Sequence, residues 1–289
     1  MYDIIKLNQF STWQLAVSIP SLSVKPSQKM LPQTNNHTLL ACPDSFFEKP
    51  NFHKQVKEFN SYLYDSTQFV RCFQKFIDEE AFKKIGHLRM LIQNQTIEIC
   101  RKKYYHVVTK ENDQVTKVQL KEELLRKAAT ESMFYKIDYD GFSCEKRTNQ
   151  PTRFMVYNGD CLDIAFLIQE ELYRDDKFHT ERVAVLNMAN PKTPGGGYKA
   201  GSGAQEENLH RRTNLYQCLD NQMDDLDPTR RWKYPIGYES GVYSPDVTVF
   251  RGSEASGYPL LKTPRFLDII SSAAVSKSQS KKAFDDRNI

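Results

Sequence analysis

Several absences narrow the class of this protein. No two of the six cysteines, Cys42, Cys72, Cys100, Cys144, Cys161 and Cys218, form a CxxC pair, so neither a zinc site nor a disulfide framework is indicated and free thiols in a reducing compartment are expected. No apolar run is long enough to span a bilayer. The opening MYDIIKLNQF has no basic region feeding a hydrophobic stretch, so no signal peptide is read there. A cytoplasmic or nuclear location without a membrane partner is the expectation. The net charge of +4 is small and its signs are mixed along the chain, which gives no direct nucleic-acid site and at most a weak bias toward anionic ligands. No cluster of candidate ligands asks for a metal, and no cofactor is expected.

What is present suffices for a packed core. The chain has 289 residues, 39% of them hydrophobic and 12% aromatic, room for one ample domain with an extension. Residues 1–52 read as a poorly ordered segment and linker, because five prolines fall between Pro20 and Pro50 among many polar residues. Residues 53–150 read as a helical accessory region. Val56, Phe59 and Leu63, then Val70, Phe73 and Ile77, recur at helical spacing from about His53 to Gly86. Further helices are expected over Leu88 to Lys103 and Lys121 to Ser132, with a charged bend at Glu111 between them. From 151 to 289 the periodicity changes. Short β runs at Phe154 to Asn158, Arg182 to Met188 and Gly241 to Phe250 alternate with helical stretches such as Cys161 to Leu172, and Phe266 to Ala274 is a last apolar run. This alternation predicts an α/β fold with a mixed, largely parallel sheet flanked by helices. Ligands in such sheets bind beyond the carboxyl ends of strands, which would bring Asp160 and the loop after Asn187 to one rim.

The densest stretch is NMANPKTPGGGYKAGSGAQEENLHRRTNLYQC, Asn187 to Cys218. Consecutive glycines are kept where backbone turns sharply or lies against something, and their exposed N–H groups can make an anion-binding hollow. Ser202 and Gln205 fit a capping box, predicting a helix from Gly203. Its inward stripe would use Ala204, Leu209, Tyr216 and Leu219 and leave Arg211 and Arg212 outward. Glu206 and Glu207 then lie in the first turns, where acidic residues also serve simply to complement the helix dipole. Ser202 stands where a Walker loop requires lysine. The spacing alone leaves a functional and a purely structural loop equally open.

Three glycines, seven residues and then Gln-Glu-Glu resemble the signature of poly(ADP-ribose) glycohydrolases of the microbial type, whose catalytic core is a macrodomain. Asn187-Met-Ala-Asn190 is similar to the macrodomain ribose loop, and the likeness extends over roughly residues 85 to 275 through Gln93 to Ile99, Ala129 to Tyr135 and Val242 to Phe250. The resemblance implies hydrolysis of the ribose–ribose O-glycosidic bond of poly(ADP-ribose), releasing ADP-ribose, with polymer or ADP-ribosylated protein as partner. It makes Glu207 the general acid and then base, and Glu206 the group that holds ribose hydroxyls. Gly195, Gly196 and Gly197 would seat the diphosphate, with Tyr198 and Gln205 at the substrate. Asp160 would accept from adenine, although without the resemblance its plainer role is capping the Cys161 helix. Asn187 or Asn190 would touch the ribose, or simply satisfy loop backbone.

Family members continue past the last apolar run into a helix, a strand and a second glycine-containing loop, whereas here the sequence after Ala274 reads VSKSQSKKAFDDRNI. The fold is therefore expected to be incomplete at its C-terminus, as a fragment, a form whose sheet a partner completes, or a truncated version. Three functions stay open at this point: an active glycohydrolase, a catalytically impaired ADP-ribose-binding module, and a helical interaction protein working through residues 1–150.

Overall fold

A computed structural model describes residues 40–42, 44–47, 57–109, 114–136, 154–173, 182–220, 234–237 and 240–274. The expectations for residues 1–39, for Val56, for the bend at 111–113 and for the stretch after Ala274 lie outside the described residues. In chain order the elements are β1 (Leu40–Ala41), β2 (Tyr62–Leu63), α1 (Ser66–Asp78), α2 (Phe82–Lys102), β3 (Tyr104–Thr109), β4 (Gln114–Gln119), α3 (Glu122–Thr130) and β5 (Met133–Lys136). There follow α4 (Cys161–Tyr173), β6 (Ala184–Ala189), α5 (Gln205–Arg212), α6 (Leu215–Leu219), β7 (Ser240–Arg251) and β8 (Leu260–Ala273). No described helix is long and apolar enough to cross a membrane.

The helical stretch expected over residues 53–86 is broken. Asp65 caps α1 by accepting from the Thr67 N–H at 2.8 Å, so Tyr62 to Asp65 cannot continue a helix from upstream. At the other end Glu80, at φ 52°, stops α1 before α2 begins. α2 is the long strut of the molecule. Leu88, Leu91 and Ile92 pack with Phe59, Phe69, Phe76 and Tyr258, while Ile97, Ile99 and Cys100 pack with Tyr105, Leu125, Tyr216 and Phe250. One helix thus supports both the N-terminal aromatic layer and the core. It ends where Lys103 turns left-handed and its N–H returns to the Ile99 carbonyl.

The central sheet has the order β5-β7-β8-β6. β5 with β7 and β7 with β8 are antiparallel, and β8 with β6 is parallel. The fold is mixed α/β as expected, but the sheet is not largely parallel among the described residues. The reason is connection length: Gly252 to Pro259 joins β7 to β8, too short for the crossover that parallel neighbours need. β5 lies within the stretch read as a helical accessory region and still pairs with β7. A second departure is Phe154 to Asn158, which pairs with no strand among the described residues; Phe154 is 91% and Val156 93% exposed. Strand composition alone does not make a strand, since a ladder also needs an edge to join. The main core, with Leu162, Val185, Leu209, Leu215, Val247 and Ile269, lies where α4, α5 and α6 meet this sheet.

Candidate active site

The site forms where β6 ends. Beyond Ala189 the chain turns through residues 190–197, and the Asn190 side chain shapes that turn by accepting from the N–H groups of Lys192 and Thr193, both at 2.9 Å. Gly195 and Gly196 follow at φ 72° and 55°, a region where side chains are strained. Space demands glycine as well. A Cβ on Gly196 would lie 2.7 Å from Glu207 Oε1 and 3.0 Å from Glu206 Oε2. The loop is laid directly on the two carboxylates.

Its amides are used there. Glu206 Oε1 accepts from Gly195 N–H at 3.0 Å and Oε2 from Asn190 N–H at 2.7 Å, while Glu207 Oε1 accepts from Gly197 N–H at 2.9 Å. The Gly196 N–H donates to the Thr193 carbonyl at 3.0 Å. The expected hollow for a diphosphate is therefore corrected: Gly195, Gly196 and Gly197 spend their N–H groups inside the protein. The anion in the nest is the protein's own carboxylate. Glu207 is 7% exposed, and its Oε2 is buried with no partner. Burial pushes the Glu206 carboxyl up to about 7, with the Glu207 charge adding to the rise and the Asn190 and Gly195 amides opposing it.

Other expectations change with the helix. α5 starts at Gln205 rather than Gly203, and Ala204 caps it without any side-chain bond. Gln205 turns the other way, toward the sheet. Its Nε2 donates to the Leu186 carbonyl at 2.6 Å and its Oε1 accepts from Met188 N–H at 2.9 Å, so one side chain fills two ladder positions on β6. This replaces the expected capping box and engages Gln205 with backbone rather than leaving it toward a ligand.

Arg211 and Arg212 point inward, at 0% and 1% exposure, against the outward placement expected from helical patterning. Arg212 is drawn in by Asp160 at 2.6 Å and Asp163 at 2.9 Å. Asp160 Oδ1 also accepts from the N–H groups of Leu162 and Asp163 at 3.0 and 3.1 Å, the cap of α4. Its Oδ2 takes no part in these bonds. Tyr198, expected at the substrate, is fully buried, with its hydroxyl on Asp220 at 2.9 Å and its ring 4.9 Å from His210. It supports the loop from behind. Asn187 is buried too; its Nδ2 donates to Ser271 Oγ at 3.0 Å, and its Oδ1 has no partner.

Two site residues escaped the sequence reading. His210 sits on the Glu206 side of α5, its Nδ1–H donating to the Glu206 carbonyl at 2.9 Å. Burial holds it neutral, pushed down to about 4. Its position four residues after Glu206 was the available signal. Tyr234 packs against the core, and its buried hydroxyl has no partner; no local pattern marks it. A cavity of about 310 Å³ lies elsewhere, where β6 begins beside the middle of β8, lined by Arg182, Asp246, Arg265 and Asp268 among others.

A family model described as microbial-type PARG, catalytic domain, matches residues 93–252. Among solved structures the chain is similar to poly(ADP-ribose) glycohydrolase (PARG) from Thermomonospora curvata, with 25% identity over 70% of this chain and 69% of that one and a TM-score of 0.49. The same enzyme bound to the inhibitor ADP-HPD matches at 24% identity over 70% and 68%, TM-score 0.48. PARG from Deinococcus radiodurans in complex with ADP-ribose matches at 23% over 57% and 62%, TM-score 0.40. At these TM-scores the likenesses add nothing to the family match. No curated protein sequence matches the chain.

Proposed function

Because this chain belongs to the microbial-type PARG catalytic-domain family, we propose that it hydrolyses the ribose–ribose O-glycosidic bonds of poly(ADP-ribose) and releases ADP-ribose. The observation that carries the reading is the unequal state of two adjacent carboxylates. Both oxygens of Glu206 are tied to loop amides. Glu207 has one oxygen fixed by Gly197 and the other without a partner. A group that must give and take a proton needs an oriented carboxyl with one oxygen uncommitted, and Glu207 answers that description.

In the proposed reaction Glu207 protonates the leaving ribose oxygen as the glycosidic bond breaks and positive charge develops on the sugar ring. The same residue, then ionised, takes a proton from the attacking water, and bond formation to the anomeric carbon completes hydrolysis. Glu206 keeps the loop in place and, with its raised pKa, presents a carboxyl that can hold a sugar hydroxyl. His210 remains neutral beneath the loop and contributes packing. The core, from β5 onward, would follow a macrodomain-like plan, with the residues before it supplying support along α2, and Asp160 Oδ2 would be its adenine acceptor.

The test is Glu207→Gln, with ADP-ribose release from polymer and calorimetric ADP-ribose binding measured side by side. Turnover is expected to fall roughly 100-fold or more while binding persists. Parental turnover in the variant would end the assignment of Glu207. Binding without any release by the parent chain would make it an ADP-ribose-binding module instead.

A further inference from the structure

Arg211 is fully buried, and among the described residues no carboxylate lies within ion-pair distance of it. Burying a guanidinium without a paired acid is costly, so its contacts need a reason. It lies four residues after Glu207 on α5, which places the two side chains on one helix face. Helical side chains lean toward the N-terminus, and Arg211 does so far enough for Nη2 to donate to the Ser202 carbonyl, ahead of the helix, at 2.8 Å. Nε donates to the Tyr258 hydroxyl at 2.9 Å. Nη1 has no partner, like Glu207 Oε2, and both atoms are buried.

Ser202 connects this clamp to the carboxylate. Its N–H donates to the Gly197 carbonyl at 3.2 Å, and its Oγ stands 2.2 Å from where a Gly197 Cβ would be. Gly197 N–H in turn holds Glu207 Oε1 at 2.9 Å. The contacts close a ring from Arg211 through Ser202 and Gly197 to Glu207 and back along one turn of helix. We propose that Arg211 is a positioning residue for Glu207: it clamps Ser202, thereby fixes the Gly197 amide, and so sets the direction of the carboxylate. The effect on turnover rests on the proposed function; the effect on Gly197 does not.

The experiment compares the full chain with Arg211→Lys and Arg211→Met, following amide exchange by NMR and polymer turnover together. Lysine keeps a charge but lacks the planar fork that reaches the Tyr258 hydroxyl and the Ser202 carbonyl in fixed directions. In both variants Gly197 N–H is expected to exchange roughly tenfold faster or more, with the core amides of Ile269 and Ile270 unchanged. kcat should fall about tenfold or more, with KM within about twofold. A role confined to packing would move the core amides and Gly197 together. Unchanged Gly197 exchange in a folded variant overturns the proposal, as does a raised KM with unaltered kcat. If Arg211→Met does not fold, Tyr258→Phe removes the acceptor of Nε together with one donor to Glu254; faster Gly197 exchange is again expected, and parental exchange there overturns the proposal equally. A parent chain that releases no ADP-ribose would sink the proposed function while leaving the Gly197 comparison to decide the role of Arg211.

Discussion

Where β6 begins, beside the middle of β8, Arg182 donates to Asp268 and Asp246, the Tyr243 hydroxyl donates to Asp268 at 2.7 Å, and Lys127 meets Asp246 at 3.1 Å. Where the same two strands end, Asn187 Oδ1, Glu207 Oε2, His210 Nε2 and Arg211 Nη1 are all buried without partners. The strands are shared, so the contrast does not arise from the scaffold. Buried polar atoms left unpaired cost stability, and a chain tolerates them together where something other than folding uses them. One end of the sheet is built to hold; the other carries the unpaired atoms that the proposed function would use.

That contrast can be broken most directly at Glu207. Glu207→Gln is expected to remove roughly 99% of turnover with little change in thermal stability, because it alters an oxygen that folding does not use. Next comes Gly196→Ala, where a Cβ meets both carboxylates and the left-handed backbone adds strain of about 1–2 kcal/mol. Turnover should drop about tenfold, and denaturant unfolding should show a loss of similar size to the strain; parental values for both would mean the loop does not rest on the glutamates.

Asp268→Ala is the converse. Stability should fall by about 1–2 kcal/mol, limited because Arg182 is half-exposed and water can replace its partner. Turnover per folded molecule should stay parental. The smallest effect is one of pH. Glu206, raised to about 7 from the usual 4.5, binds its proton more tightly folded than unfolded, so it subtracts stability as pH rises between those values. Asp268 is held below its usual 3.8 by Arg182 and Tyr243, against an opposing effect of burial. Its contribution is present above that value and lost as pH falls through the folded pKa. Thermal scans of Glu206→Gln should lose the decline between about pH 4.5 and 7, whereas Asp268→Ala should lose only acid sensitivity below about pH 4. A Glu206→Gln curve parallel to the parent would remove that residue from the comparison.

What could be read in the sequence was local. The glycine run, the paired glutamates, α4 and β6 each carry their signal within a few neighbours, and each is found close to its expected bounds. Contacts across the chain were not legible. Arg211 and Arg212 look like a solvated face because charged residues on an amphipathic helix usually are; Asp160, about fifty positions earlier, and Tyr258, about as far beyond, reverse that. The β3–β4 hairpin was missed for another reason. Tyr104 to Thr109 and Gln114 to Gln119 pair in continuous register, but the second arm does not alternate, since its less exposed residues Val115 and Val118 lie three apart, and the charged residues between the arms read only as a bend. Tyr198 illustrates the limit of a motif, which can place an aromatic ring beside a loop without saying which side of the loop it takes.

Gln205 has a consequence outside catalysis. By occupying the Leu186 carbonyl and the Met188 N–H, it shields part of a sheet margin on which another polypeptide could otherwise be templated. A residue belonging to the signature thus also closes part of the edge that β6 forms among the described residues.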